Sequence, residues 1–112
     1  MSLSQKQMIF TKNVASLIVY ADLIGIGLTF GDAYRNDFTK KKYVELGLSK
    51  TMNSNHRKRL AVDFNFFIDG KLTYDKHKLA ELGKFWESLH LKNRWGGNFK
   101  SFIDTPHFEM QE

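Results

Sequence analysis

The chain has 112 residues, a net charge of +5, and a hydrophobic fraction of 42% that includes ten phenylalanines and two tryptophans. This length suits one globular domain, and we expect residues 1–112 to form a single domain. Because the sequence has no cysteine, disulfides and thiolate metal sites are excluded, and metal ligands must come from His, Asp or Glu. No apolar run approaches the roughly 20 residues of a membrane span, so we expect no membrane insertion.

The first predicted element is an amphipathic helix from about Gln5 to Ile24, which ends where glycines begin. A short strand is predicted at Leu28–Phe30. The polar stretch that follows, as far as Asn53, is predicted to be mostly loop, and a loop this long in a small domain usually carries function. The apolar face of the helix consists of Phe10, Val14, Leu17, Ile18, Ala21 and Ile24.

The segment from Leu60 to Ile68 alternates between apolar and other residues, which predicts a strand with one core face. Asp63 lies on the other face. The pair Asp69-Gly70 predicts a tight turn, and Lys71–Tyr74 is predicted to return as a hairpin strand. The core face consists of Leu60, Val62, Phe64, Phe66 and Ile68.

A second helix is predicted from the N-cap residue Asp75 to about His90, with an apolar stripe that includes Trp86. The segment Arg94–Phe99 is predicted to be a glycine and aromatic loop. Pro106 holds the preceding residue extended, so a last strand should begin at His107, with Glu109 on the same face and Phe108 in the core. These elements predict an α+β fold in which two main helices pack on a small antiparallel sheet.

Three side chains in this layout suit a metal ion. The predicted strands of Asp63 and His107 can supply two ligands from adjacent positions on one sheet face, and His56 lies in the loop that enters the first of these strands. Two imidazoles and one carboxylate form a hydrolytic zinc set, and three protein ligands leave a fourth position open for water. The pattern therefore predicts a catalytic zinc site. His77 and His90 lie away from it and are not expected to be ligands.

The residues around these ligands carry a family resemblance. The segment Ser54-Asn-His56-Arg-Lys-Arg59-Leu-Ala-Val-Asp63 resembles the motif S-x-H-x-x-G-x-A-x-D of zinc peptidoglycan peptidases. This family includes D-alanyl-D-alanine carboxypeptidases and the L-alanyl-D-glutamate endopeptidases of phage lysis. Asp104-Thr-Pro-His107-Phe-Glu is similar to the second motif, in which an acid three residues before the last zinc-binding histidine is the catalytic base. Arg59 departs from the pattern, because it stands where the motif has glycine.

The resemblance implies a Hedgehog/D,D-peptidase-like fold and one Zn²⁺ ion bound by His56, Asp63 and His107. It also implies that Asp104 acts as general base and acid. Arg35 resembles the family arginine that faces the developing oxyanion or a substrate carboxylate.

Further residues receive supporting roles. Ser54 is expected to hydrogen-bond the substrate, and Trp95 to wall the cleft as a substrate contact. Glu109 is expected to orient a ligand histidine by accepting a hydrogen bond from the second ring N–H of that histidine. Carboxylates that contact a metal ligand, and not the metal itself, commonly do this. Trp86 and its neighbour Glu87 are expected to be structural.

The resulting hypothesis is a zinc metallopeptidase that cleaves the peptide stem of peptidoglycan. The favoured form is an L-alanyl-D-glutamate endopeptidase acting as a phage or prophage endolysin. A D-alanyl-D-alanine carboxypeptidase is the alternative within the family, and an inactive relative that binds wall peptides is another. The net charge and the clusters Lys40–Lys42 and Arg57–Arg59 leave a basic nucleic-acid-binding module as a rival of another class.

Under the leading hypothesis we expect residues 1–112 to be a single catalytic domain without a wall-binding domain. We also expect a monomer with no stable nucleic-acid partner. The N-terminus lacks the features of a secretory signal, so we expect synthesis in the cytoplasm. Access to the wall would then require a separate pore protein or lysis of the cell.

Overall fold

The computed structural model describes residues 1–31 and 55–112, and all elements named here lie within these ranges. The predicted loop that ends at Asn53 lies almost entirely outside them. The described residues form two helices, five short strands and one 3₁₀ turn, which confirms the predicted α+β class. In chain order the elements are α1 (Leu3–Leu23), β1 (Gly27–Phe30), β2 (Ala61–Ile68), β3 (Lys71–Thr73), α2 (Lys76–Ser88), β4 (Asn93–Trp95), the 3₁₀ turn (Gly96–Asn98) and β5 (His107–Met110).

Helix α1 is bounded by clear local signals. The Ser2 hydroxyl accepts a hydrogen bond from the Gln5 backbone N–H, and the Gln5 side chain accepts one from the Ser2 backbone N–H, forming a capping box. At the other end Gly25 has a φ of 81°, which glycine adopts without steric cost. The prediction for Ile18 was wrong: it is 38% exposed, because it lies on the flank of the stripe that buries Leu17.

Strand β2 is the centre of an antiparallel sheet. Strand β1 pairs along one edge of β2, while β5 and β3 share the other edge, and β4 pairs with the outer edge of β5. The predicted hairpin turn between β2 and β3 is present, since Asp69 and Gly70 both have positive φ, at 53° and 75°. A two-residue turn of this kind matches the twist of the strands that it joins.

Both helices pack against one face of this sheet. The predicted core face is confirmed from Leu60, just before β2, to Phe66, because its even-numbered residues are at most 4% exposed, while Ile68 is half-buried. Trp86 of α2 is fully buried, and its Nε1 donates to the backbone carbonyls of Arg94 at 3.2 Å and Glu109 at 3.1 Å. Those two hydrogen bonds fix α2 over β4 and β5. The fully or nearly fully buried aromatic residues are Phe64, Phe66, Trp86, Trp95 and Phe108.

Strand β4 corrects one prediction. The segment from Arg94 was expected to be loop, but Asn93–Trp95 pairs with β5 and places Trp95 opposite Phe108. A strand of three residues beside two glycines has too short a pattern to recognise. The Trp95 ring fits there because α2 has glycine at position 83, where a Cβ atom would come within 2.1 Å of the ring.

The face of the sheet opposite the helices carries the polar side chains. Asp63, His107 and Glu109 all project there, since they alternate with the core residues of β2 and β5. Among the described residues, neither helix combines the length and apolar character needed to cross a membrane.

Candidate metal centre and active site

The register between β2 and β5 brings two predicted ligands together. Asp63 lies directly opposite His107, and Ala61 lies opposite Glu109. Side chains at directly opposite positions of an antiparallel pair share a face and have Cβ atoms about 5 Å apart. The sheet therefore presents a carboxylate beside an imidazole, 44 positions apart in the sequence.

The third predicted ligand, His56, is positioned by a compact turn. The Leu60 N–H donates to the Asn55 carbonyl at 2.9 Å, and the Arg59 N–H donates to the His56 carbonyl at 3.1 Å. This nested pair of hydrogen bonds is the Schellman pattern, in which one residue adopts the left-handed conformation and is usually glycine. Here that residue is Arg59, with a φ of 55°. Arg59 thus occupies the backbone conformation that explains the glycine of the family motif.

The three side chains converge on one point. His56 Nε2 lies 3.2 Å from Asp63 Oδ1, and His107 Nδ1 lies 3.1 Å from the same oxygen. One ligand atom from each residue falls within 4.8 Å of the others. A tetrahedral zinc site with bonds of about 2.0 Å has neighbouring ligand atoms about 3.3 Å apart, so the two short separations suit such an ion.

Burial and chemistry support the same conclusion. His56, Asp63 and His107 are 1%, 7% and 8% exposed, and two imidazoles with a carboxylate are ligands that zinc prefers. Within the parts of the chain that the structure describes, these three residues form the group able to hold a metal ion, and His77 and His90 do not belong to it.

Proton affinities at the centre are strongly coupled. Burial alone would raise the pKa of Asp63, but hydrogen bonds and charge from His107 and His56 outweigh it and hold that pKa well below its usual range. Burial alone would lower the pKa of His107, yet hydrogen bonds to Asp63 and Glu109 raise it to about 9. Since a ligating imidazole is neutral, a metal ion that binds His107 has to displace this proton.

Glu109 holds the other side of the His107 ring. Its Oε1 lies 2.6 Å from His107 Nε2, and its Oε2 lies 3.9 Å from Nε of Arg94 on β4. Burial would raise the pKa of Glu109, but the contact with His107 lowers it overall, so the carboxylate is ionised. With Nε2 directed to Glu109, the Nδ1 atom of His107 faces Asp63 and the metal position.

Asp104 lies at the edge of the centre and is half-buried. Its backbone N–H donates to the Gly96 carbonyl at 2.9 Å, and its carbonyl accepts from the His107 N–H at 3.1 Å. A Cβ atom on Gly96 would come within 2.0 Å of the Asp104 carbonyl oxygen and 2.9 Å of His107 Cβ. Glycine at position 96 therefore lets the turn that carries Asp104 pack directly beside His107.

Trp95 departs from the role predicted for it. The ring is 1% exposed, and its Nε1 donates to the Thr105 carbonyl at 2.9 Å. This disagrees with a substrate contact, because the ring packs inside the core and supports the turn of Asp104 from behind. Glu87 accepts from the Trp95 backbone N–H at 3.0 Å and from the Asn98 side chain at 3.1 Å, which suits the structural role expected for it.

Two residues near the centre were missed by the sequence predictions. The Phe99 ring lies 5.7 Å from the His107 ring, and the Arg94 guanidinium lies 4.6 Å above Phe99. The alternation of β4 would have placed Arg94 on the face of Glu109, but that strand was not predicted. Two predicted substrate residues, Arg35 and Ser54, lie outside the described residues.

The family is established by comparison with known proteins. A family model described as D-alanyl-D-alanine carboxypeptidase matches residues 48–110, which is more than half of the chain. The chain therefore belongs to this family of peptidoglycan peptidases, as the sequence motifs predicted, and it is a hydrolase by membership.

The fold can also be compared with that of a solved structure. It is similar to that of the L-Ala D-Glu endopeptidase ChiX from Serratia marcescens, with a TM-score of 0.76 and 20% sequence identity over 91% of this chain and 77% of that chain. At this identity the similarity shows a shared fold, which confirms the architecture that the resemblance implied. A comparison with curated proteins found no match.

Proposed function

We propose that the protein is a zinc metallopeptidase that hydrolyses an amide bond in the peptide stem of bacterial peptidoglycan. One ion would be held by His56, Asp63 and His107. The observation that carries this proposal is the convergence of these three buried ligand atoms within 4.8 Å in a member of a peptidoglycan peptidase family.

The chain's own residues divide the remaining work. Bound zinc supplies a Lewis acid that polarises the scissile carbonyl and makes water more acidic. Asp104 takes the proton of the attacking water on its carboxylate and delivers it to the departing amine as the C–N bond breaks. Glu109 holds the Nε2 proton of His107 and so keeps Nδ1 directed at the metal. Arg35 would stabilise the developing oxyanion, and Ser54 would hydrogen-bond the substrate.

Within this class we favour an L-alanyl-D-glutamate endopeptidase that acts as a phage or prophage endolysin. The similarity in fold to an L-Ala D-Glu endopeptidase supports this choice. The alternative is a D-alanyl-D-alanine carboxypeptidase, which the description of the family model supports. In either case we expect the enzyme to act as a monomer.

Defined muropeptides distinguish the two activities. Zinc-loaded protein is incubated with a disaccharide pentapeptide, and the products are identified by mass spectrometry. Cleavage after L-alanine supports the endopeptidase, whereas loss of the terminal D-alanine supports the carboxypeptidase. Hydrolysis that continues at the same rate after chelation of all metal would refute the zinc mechanism.

Matched variants test the ligands and the base. His107→Ala should abolish stoichiometric zinc binding, while His77→Ala, which removes an exposed histidine outside the centre, should not.

Asp104→Asn should lower kcat by about 10²- to 10⁴-fold with zinc retained, because it removes proton transfer alone. Asp22→Asn on the exposed side of α1 is its control. Equal kcat for Asp104→Asn and its control would remove Asp104 from the mechanism.

A further inference from the structure

A row of polar side chains continues the metal-site face of the sheet beyond Asp63. Asn65 lies two residues along β2, on the same face as Asp63, and is paired with Thr29 of β1. The Tyr74 hydroxyl, at the end of β3, donates to Asn65 Oδ1 at 2.6 Å, and Asn65 Nδ2 donates to Thr29 Oγ1 at 3.3 Å. Two residues of a strand span about 7 Å, so this row lies that far from the metal ligand.

The hydrogen bonds within the row leave donors directed to solvent. Asn65 Oδ1 is occupied by Tyr74, and Thr29 Oγ1 is occupied by Asn65. Within residues 1–31 and 55–112, the Thr29 hydroxyl proton and the second Nδ2 proton of Asn65 have no acceptor. Thr29 is exposed and Asn65 is half-buried, so these protons can reach a ligand. Outward donors suit a carbonyl or carboxylate oxygen.

The neighbouring positions leave the row accessible from β1. Gly27 lies opposite Phe67, and Gly31 donates its backbone N–H to the Asp63 carbonyl at 2.8 Å, so both flank Thr29 on this face without a side chain. Between the metal ligand Asp63 and the row, the β1 segment therefore contributes no side chain to this face of the sheet. On the far side of the row, Leu72 of β3 is 55% exposed and offers an apolar contact.

We propose that Thr29, Asn65 and Tyr74 form a substrate-binding subsite for the peptide stem, about two residues from the scissile bond. The proposal rests on the proposed function, because it takes the metal position as the point of cleavage. An extended peptide advances about 3.3 Å per residue, so the oxygen atoms that reach the row belong to the second residue from the cut. The subsite selects substrates that extend this far over those that end beside the scissile bond.

The rival explanation is that the row only ties β1, β2 and β3 together. Cross-strand hydrogen bonds of this kind stabilise a sheet by less than about 1 kcal/mol each. A purely structural row changes the unfolding midpoint when it is mutated and leaves the substrate KM unchanged. A subsite changes KM for long substrates and leaves KM unchanged for short ones.

Kinetics with matched variants separate these explanations. Thr29→Val and Tyr74→Phe are compared with Tyr20→Phe, which removes an equally short hydroxyl hydrogen bond, 2.6 Å to Glu81, on the helix side of the molecule. In zinc-loaded protein we expect Thr29→Val to raise KM about 2- to 10-fold for a disaccharide tetrapeptide, as for the loss of one hydrogen bond, with kcat unchanged. The dipeptide L-Ala-D-Glu should show no such difference, and Tyr20→Phe should match the wild type.

Binding supplies a readout that does not need turnover. In zinc-loaded Asp104→Asn, the Asn65 side-chain amide signals in NMR spectra should shift with the disaccharide tetrapeptide and stay in place with the dipeptide. If these signals do not respond to saturating tetrapeptide, the subsite is overturned, whether or not the wild type cleaves it. If the signals shift and the wild type cleaves no muropeptide, the subsite stands and the peptidase proposal fails.

Discussion

The two faces of the central sheet differ in the chemical surroundings of their buried side chains. On β5, Phe108 is fully buried on the helix face, and His107 is only 8% exposed on the other face. The helix face is filled by hydrocarbon side chains, whereas on the metal-site face the buried side chains of Asp63, His107 and Glu109 form ion pairs. The comparison shows that burial alone does not mark a core position, because the chemistry of the neighbours decides what a buried position does.

The pairing on the metal-site face follows from the cost of buried charge. A buried ionised group without a partner loses several kcal/mol of solvation, and the loss is offset only by close opposite charges and hydrogen bonds. Asp63 lies between His56 and His107, and His107 lies between Asp63 and Glu109. This arrangement holds the ligand atoms together in the metal-free protein, so little reorganisation is needed when an ion binds.

The largest expected effect comes from the helix face. Phe108→Ala should lower the free energy of unfolding by about 3 to 5 kcal/mol, because the ring is fully buried and packs edge-on against Trp86 at 5.8 Å. Phe30→Ala makes the same truncation on a ring that is 68% exposed and should cost far less. Urea denaturation of the metal-free proteins measures both values. Equal losses would mean that Phe108 is not part of the stabilising core.

The next effect belongs to the metal-site face and depends on pH. The pKa of His107 is raised from 6.5 to about 9, so its contribution to stability is complete below pH 6.5 and is lost as the pH rises through 9. The pKa of Asp63 is lowered, so its contribution is present above its ordinary value of 3.8 and is lost as the pH falls below that value. Metal-free protein should therefore be most stable between about pH 4 and 6.5.

Urea denaturation at pH 6 and pH 9 measures how much the free energy of unfolding falls at alkaline pH. This decrease should amount to a few kcal/mol at most. His107→Asn is the reference, because it keeps every other titrating group and removes this one. A wild type whose stability falls no more steeply than that of the variant would contradict the role of His107. Zinc affinity should change in the opposite sense and rise over the same interval, since zinc and the proton compete for the imidazole.

A smaller effect is expected from the carboxylate behind the ligand. Glu109→Gln should weaken zinc binding about 10- to 100-fold, because a neutral amide holds the His107 Nε2 proton less strongly than an ionised carboxylate does. Glu81→Gln removes an acid that accepts from Tyr20 away from the centre and should leave the affinity unchanged. Competition against a chelator of known affinity measures both. If the two variants have the same zinc affinity, Glu109 does not contribute to zinc binding.

Much of the core face and of the ligand set was predictable from local pattern. The core face of β2 and the capping residue Asp75 follow from local signals. The structure confirms this face from Leu60 to Phe66, and Asp75 Oδ1 accepts from the His77 backbone N–H at 2.8 Å. That Asp63 lies directly opposite His107 depends on the register between two distant strands, which periodicity does not define. The family motifs supplied that link.

The errors arose where a residue's environment depends on distant parts of the chain. The burial of Trp95 requires a glycine in the facing helix, so the Trp95-Gly96-Gly97 segment alone could not predict it. The contacts of Arg94 with Glu109 and Phe99 depend on strand β4, whose three residues are recognisable only by their pairing with β5. The contribution of these residues became visible only with the fold.

The smallest predicted effect concerns the turn that delivers His56 to the metal-site face. Arg59 has a φ of 55°, a conformation that costs a residue with a Cβ atom about 1 kcal/mol relative to glycine. Comparing Arg59→Gly with Arg59→Ala isolates this cost, because both substitutions remove the same side chain and its contacts. Glycine should be the more stable of the two by about 1 kcal/mol in urea denaturation, despite the greater freedom of glycine in the unfolded chain. The same comparison at Lys58, the preceding residue, should favour alanine, since Lys58 is not among the residues of positive φ. Were alanine preferred at both positions, the left-handed turn before β2 would be wrong, and with it the direction in which His56 reaches the metal position.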